Sequence, residues 1–269
     1  YWTEKYNTNL ASLMLGISFA KSIPGFTNDN LQELVCMLVF KDIGYSRLVK
    51  EIKEYELLHG LISYKLMSDS NAKIKEGPKL SDLVLESILK QHEFTDGSGA
   101  LASRQHPLVI NDENEVSVPI YAQISGICEL FHHFYQREET VSIAYALLKG
   151  MCFPIGNVKG KYDITILQQF ESFYQSSLLS KDEGNKSQLE KKLQSIMQDV
   201  ALEWRFDTTP GALAELEKIN KSIYEQKKLD VTGRIAKLFC ILRLLSNTKT
   251  NITNILTRLC PYPPEFAQD

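Results

Sequence analysis

The chain has 269 residues, of which 43% are hydrophobic and 23% charged, and a net charge of −3. That length and balance belong to a folded globular chain able to bury a core, and no apolar run reaches the roughly 18 residues that a membrane span requires. Charge divides as −5 over residues 1–180 and +2 over 181–269. Neither part has the basic surplus of an electrostatic nucleic-acid binder, so no DNA partner is expected.

The first ten residues, YWTEKYNTNL, lack both a starting Met and a signal-peptide layout, which predicts an excised piece of a longer protein. From there, apolar residues recur every three or four positions, as in Leu31, Leu34, Val35, Leu38 and Val39. This is the helical period, and it predicts an all-α protein. In chain order, helices are expected over 8–21, 29–41, 46–69, 80–91, 118–136, 139–150 and 163–179, then over 187–205, 210–228, 231–246 and 251–259. Short strands stay open between Leu108 and Val118. Thr209 before Pro210 and Ser187 with Glu190 are the expected helix caps. The polar segment SKDEGNKSQ, 180–188, is the expected boundary, dividing a domain of residues 1–179 from a C-terminal helical extension of 180–269.

Five cysteines, Cys36, Cys128, Cys152, Cys240 and Cys260, include no close pair. This argues against a disulfide framework and for a reducing, cytoplasmic setting. No Gly-x-Ser-x-Gly elbow or phosphate loop is present; GNVKGK (156–161) reads as a turn. His132 and His133 are neighbours on a helix and point about 100° apart, too divergent to chelate one ion together. The segment VTGRIAKLFCILRLLSN (231–247) is apolar around most of its circumference. It needs a cover, either the core of the extension or a homodimer or partner interface.

Three segments carry the chemistry: VFKDIGYSRL (39–48), YELLHGLISYKLM (55–67) and KQHEFTDGSG (90–99). Each places one metal-ligating type, Asp42, His59 or His92, at or near a helix end. Taken singly, each is more readily a packed or surface residue than a ligand. In this order and spacing they resemble the HD-GYP family, helical phosphodiesterases that hydrolyse cyclic di-GMP at two or three metal ions. KDIGY (41–45) stands at the family's HDIGK, LLHGLIS (57–63) at its second element and QHEFTDGSG (91–99) at its HHE..DGSGYP. IYAQISGICELF (120–131) falls at AD.FDA, and GKYDITILQQFESFY (160–174) is similar to the closing GKFDP..V..F. The resemblance spans residues 1 to about 178 and implies an HD-domain-like helical bundle.

The departures fall on the ligands. The His of the HD dyad is Lys41, the Lys after its Gly is Tyr45, the first His of the HH pair is Gln91 and the late Asp is Gly126, while an early ligand His is Asn7 or a neighbour. The Tyr and Pro after DGSG are Ala100 and Leu101. A multinuclear site needs several imidazoles and bridging carboxylates to offset repulsion between metals. Asp42, His59 and His92 are too few, so these are residual ligand positions. No cofactor is expected, with a single weakly bound metal ion as the alternative. For Asp96 to Gly99 two readings stand: a capped tight turn, or part of a groove in which Lys41, His92, Asp96 and Arg104 bind a phosphate-bearing nucleotide without cleaving it.

The expected function is that of a bacterial signalling pseudoenzyme acting through a protein partner, with cyclic di-GMP as the candidate ligand. One alternative is an active phosphodiesterase or phosphohydrolase whose rearranged site recruits Glu93, Asp96 or His106. The other is an assembly module that makes its contacts through 187–259.

Overall fold

A computed structural model describes residues 2–47, 58–102, 106, 108–109, 116–138, 140–154 and 159–178, together with the isolated positions 191, 194–195 and 235–236. These residues are helical and contain no β-strand, so the all-α expectation holds among them; of the described residues between 108 and 118, Val116 takes a bridge position. The helices are α1 (Trp2–Ser22), α2 (Asn28–Phe40), α3 (His59–Lys73), α4 (Asp82–Leu89), α5 (Ile120–Glu138), α6 (Val141–Cys152) and α7 (Ile164–Phe173). A 3-10 turn, Ile43–Arg47, follows α2, and a π-helical turn, Tyr174–Leu178, follows α7. None of these helices is long and apolar enough to cross a membrane.

The helix expected over 46–69 differs from this. Its first part is the 3-10 turn, and α-helix begins again at His59, with 48–57 outside the described residues. The turn is tight because Gly44 lies against α3: its N–H donates to Ser63 Oγ at 2.8 Å, and a Cβ at Gly44 would lie 2.2 Å from the His59 carbonyl oxygen. The boundary expected at 180–188, the caps at Ser187 and Thr209 and every helix expected from 187 onward also lie outside the described residues.

The chain forms two compact units, Tyr1–His132 with Gly160–Phe173, and His133–Lys159 with Tyr174–Asp269. In the first, α1 packs on α2 and α7, and α4 packs on α2 and α3. Local signals start the helices: Thr27 and Asn30 form a capping box on α2, and Ser81 caps α4 by accepting from the Val84 N–H at 3.3 Å. Phe19, Leu34, Met37, Ile88, Tyr121, Ile124, Ile127 and Phe170 are fully buried and make its core. Each such side chain contributes about 2 kcal/mol by leaving water. Phe19 and Phe170 meet edge to face at 5.0 Å. A smaller cluster, Leu89, Leu101, Ala102 and Val109 with Leu58, Leu61 and Tyr64, secures the chain after α4. In the second unit α6 is buried along almost its whole length, and Tyr145 stacks on Tyr174 at 3.9 Å.

Candidate functional site

Four elements of the first unit converge on one cluster. The C-terminal end of α2 and the turn after it supply Lys41, Asp42 and Tyr45, and the first residue of α3 supplies His59. The chain after α4 supplies Gln91, His92 and Glu93, and α5 supplies Gly126 and Glu129. Asp42, His59 and His92, far apart in sequence, meet here. His59 Nε2 lies 3.1 Å from Asp42 Oδ1 and 3.1 Å from His92 Nε2. The carboxylate can only accept, so the contact with Asp42 is made through an N–H on His59 Nε2. Tyr45 stacks on the His59 ring at 4.0 Å, and His92 meets that ring edge-on at 4.8 Å.

Lys41 is buried, with 3% of its side chain exposed, and its ammonium pairs with both Asp42 and Glu129. Its position is natural, since Lys41 is the C-cap of α2, where a cation meets the negative end of the helix dipole. Burial acts to lower the Lys41 pKa, but the two carboxylates more than offset it and hold the ammonium above its usual range. Burial likewise pushes the Asp42 carboxyl up, and the charge of Lys41 with the hydrogen bond from His59 holds it well below the usual carboxylate range. Asp42 is thus a carboxylate and Lys41 a cation at any ordinary pH.

Glu129 is absent from the sequence reading. The signal that could have found it is its place three residues after Gly126, on the same face of α5. Gln91 stands where the resemblance has a His and is only 2% exposed. Its Nε2 donates to the Lys41 carbonyl at 2.8 Å and to the Ile88 carbonyl at 3.2 Å, tying α4 to the end of α2. At Gly126 a Cβ would lie 2.5 Å from the Tyr162 hydroxyl, so Tyr162 fills the space that a side chain there would need.

The HEFTDGSG segment is held by its own side chains. Asp96 Oδ1 accepts from the Ser98 N–H at 3.0 Å and the Ser98 hydroxyl at 2.6 Å, and Gly97 has φ +81°, the left-handed region open to glycine. Lys161 donates to Ser98 Oγ at 2.8 Å and lies 4.0 Å from the Phe94 ring centre. The Thr95 N–H donates to the Lys161 carbonyl at 2.9 Å. Asp96 is therefore engaged in a turn bound to the GKYD segment. Arg104 lies outside the described residues, as do its neighbours 103 and 105. Asn7 falls on α1, whereas His106 accepts from the Leu108 N–H through Nδ1 at 3.3 Å.

Glu93 is 1% exposed and accepts from the N–H groups of Leu101 at 2.8 Å and Ala102 at 2.9 Å. Burial pushes its carboxyl up, and those two N–H groups and the charge of Lys90 pull it back only in part, so its pKa stands at about 7 rather than 4.5. The folded state then keeps a proton that the unfolded chain releases across that interval. The contribution of Glu93 to stability is full below pH 4.5, falls as pH rises toward 7 and levels off above it, a total of about 3 kcal/mol. Glu93→Gln, which does not titrate, should lack this fall. Urea unfolding of both proteins at pH 5, 6, 7 and 8 measures it, and parallel curves would refute the assignment.

Among the described residues no three His, Cys, Asp or Glu side chains are grouped to hold a metal ion. The residues present do not fit the multinuclear centre that the resemblance implies, because an ammonium stands between two of the carboxylates, Gln91 puts an amide where an imidazole is called for, and Gly126 has no side chain. Comparison with protein-family models, with curated proteins and with solved structures returns no match to this chain.

Proposed function

We propose that this is a non-hydrolytic signalling domain of HD-GYP-like design, which acts by binding a protein partner and has cyclic di-GMP as its candidate regulatory ligand. The observation that carries the reading is the Lys41 ammonium, paired with Asp42 and Glu129 beside the His59–His92 contact. Hydrolysis of a phosphodiester at such a site requires metal ions to activate water and take up charge on the phosphoryl oxygens. A buried, permanently charged ammonium opposes that loading. The convergence of Asp42, His59 and His92 from three separate segments supports the HD-like frame, and the alternative of a rearranged hydrolase has less to draw on. Glu93, Asp96 and His106 are each hydrogen-bonded to neighbouring backbone.

A cytoplasmic bacterial setting belongs to the same reading, as does self-association through residues beyond 180. Purified protein incubated with cyclic di-GMP and Mn2+ should give no linear or mononucleotide product, while calorimetric titration of the same sample reads binding. Turnover that is abolished both by a chelator and by His59→Ala would replace this proposal with the hydrolase.

A further inference from the structure

We propose that the ammonium of Lys41 is itself the cation of this site, a tethered charge that holds Asp42 and Glu129 together where the resemblance calls for metal. The inference deepens the reading above and takes from it the expectation of metal at this place, while the role of Lys41 is argued from geometry. Asp42 and Glu129 have side chains only 15% exposed, and they come from different elements, the turn after α2 and helix α5. Two carboxylates brought together with so little water repel one another and require a positive charge between them. Lys41 supplies it.

The ammonium is tethered within one side-chain length of a backbone that is fixed on both sides, and its two carboxylate partners hold it in place. The Lys41 N–H donates to the Met37 carbonyl at 2.8 Å and its carbonyl accepts from Gln91 Nε2 at 2.8 Å. Through Asp42 the charge also reaches His59 at the start of α3, so one cation joins α2, α3 and α5. A divalent ion entering here would share its carboxylates with a fixed positive charge at contact distance, in a setting where solvent screens poorly. The chain's own cation excludes it.

The experiment compares wild type, Lys41→Met, which keeps an unbranched stem without the charge, and the double variant Lys41→Met with Glu129→Gln. Thermal unfolding is measured with and without Mn2+, and bound metal is counted by mass spectrometry after desalting. Wild type should unfold at one temperature in chelator and in Mn2+ and carry no stoichiometric ion. Lys41→Met should lose roughly 10 °C, since it leaves two buried carboxylates uncompensated, and regain part of that in Mn2+. The double variant, with one of those charges removed, should unfold above Lys41→Met and ignore Mn2+. The proposal fails if wild type is stabilised by Mn2+ and retains it, or if Lys41→Met is as stable as wild type. Should Lys41→Met not fold, Glu129→Gln alone decides: it must unfold below wild type and stay indifferent to Mn2+, and equality with wild type overturns the inference. Cyclic di-GMP binding, read separately on wild type, leaves the functional proposal to stand or fall by itself.

Discussion

Gly44→Ala is expected to lower the stability of the first unit by about 4 kcal/mol or more, because the new methyl group has no place to go. Its Cβ would stand 2.2 Å from the His59 carbonyl oxygen, 2.8 Å from the Ser63 nitrogen and 2.8 Å from Ser63 Oγ. Two of those three atoms are backbone, and relief means moving α3 away from the turn after α2. That movement would pull His59 off Asp42 and Tyr45, so the site should be lost along with the stability. Two further variants separate crowding from the lost hydrogen bond. Ser63→Ala removes only the acceptor of the Gly44 N–H and should cost about 1–3 kcal/mol. Gly44→Ala combined with Ser63→Ala should recover little, since the His59 carbonyl remains in the way. Urea unfolding measures all three, and recovery of most of the loss in the double variant would show that the backbone contact is not what makes Gly44 necessary.

The role of Gly44 also shows where the sequence was readable. The expected helix bounds, 29–41 and then 46 onward, leave a break around it, and a helix followed by a turn is what the structure has. Periodicity alone ran 46–69 together as one helix, since Leu48, Ile52, Tyr55 and Leu58 keep the helical spacing and nothing local announces a 3-10 turn whose cause lies nineteen residues away at Ser63. The long apolar period of α5 was legible because a helix buried on several sides carries its signal in every turn. Asp42, His59 and His92 could be picked out as a group, whereas the second partner of Lys41, Glu129, could not. Glu129 is one of several acids in the chain, and only the packing of α5 beside the end of α2 singles it out. Glu93 was legible as a carboxylate but not as an acceptor for two N–H groups eight and nine residues ahead, a task that depends on the path of the loop.

Restoring the acid that the resemblance places on α5 should damage the protein instead of repairing a metal site. Gly126→Asp is expected to cost about 3 kcal/mol or more, combining overpacking with a carboxylate brought into the interior. A Cβ at 126 would meet the Tyr162 hydroxyl at 2.5 Å and two of its ring carbons at 3.1 Å. Tyr162 is 3% exposed and packs edge to face on Phe94 at 5.6 Å, so it has little freedom to retreat. The tail segment in which it lies, GKYD, has a Tyr where the pattern of the resemblance has a Phe, and its hydroxyl is the atom nearest the Cβ position of Gly126. The two positions are therefore expected to be coupled through packing. Gly126→Ala with Tyr162→Phe tests this directly: removing the hydroxyl should recover about 1 kcal/mol of the loss caused by Gly126→Ala, a coupling visible in a double-mutant cycle. A coupling near zero would mean that Gly126 and Tyr162 vary independently. A clear one would show that the Tyr162 hydroxyl holds the space beside Gly126, as Lys41 holds the charge between Asp42 and Glu129.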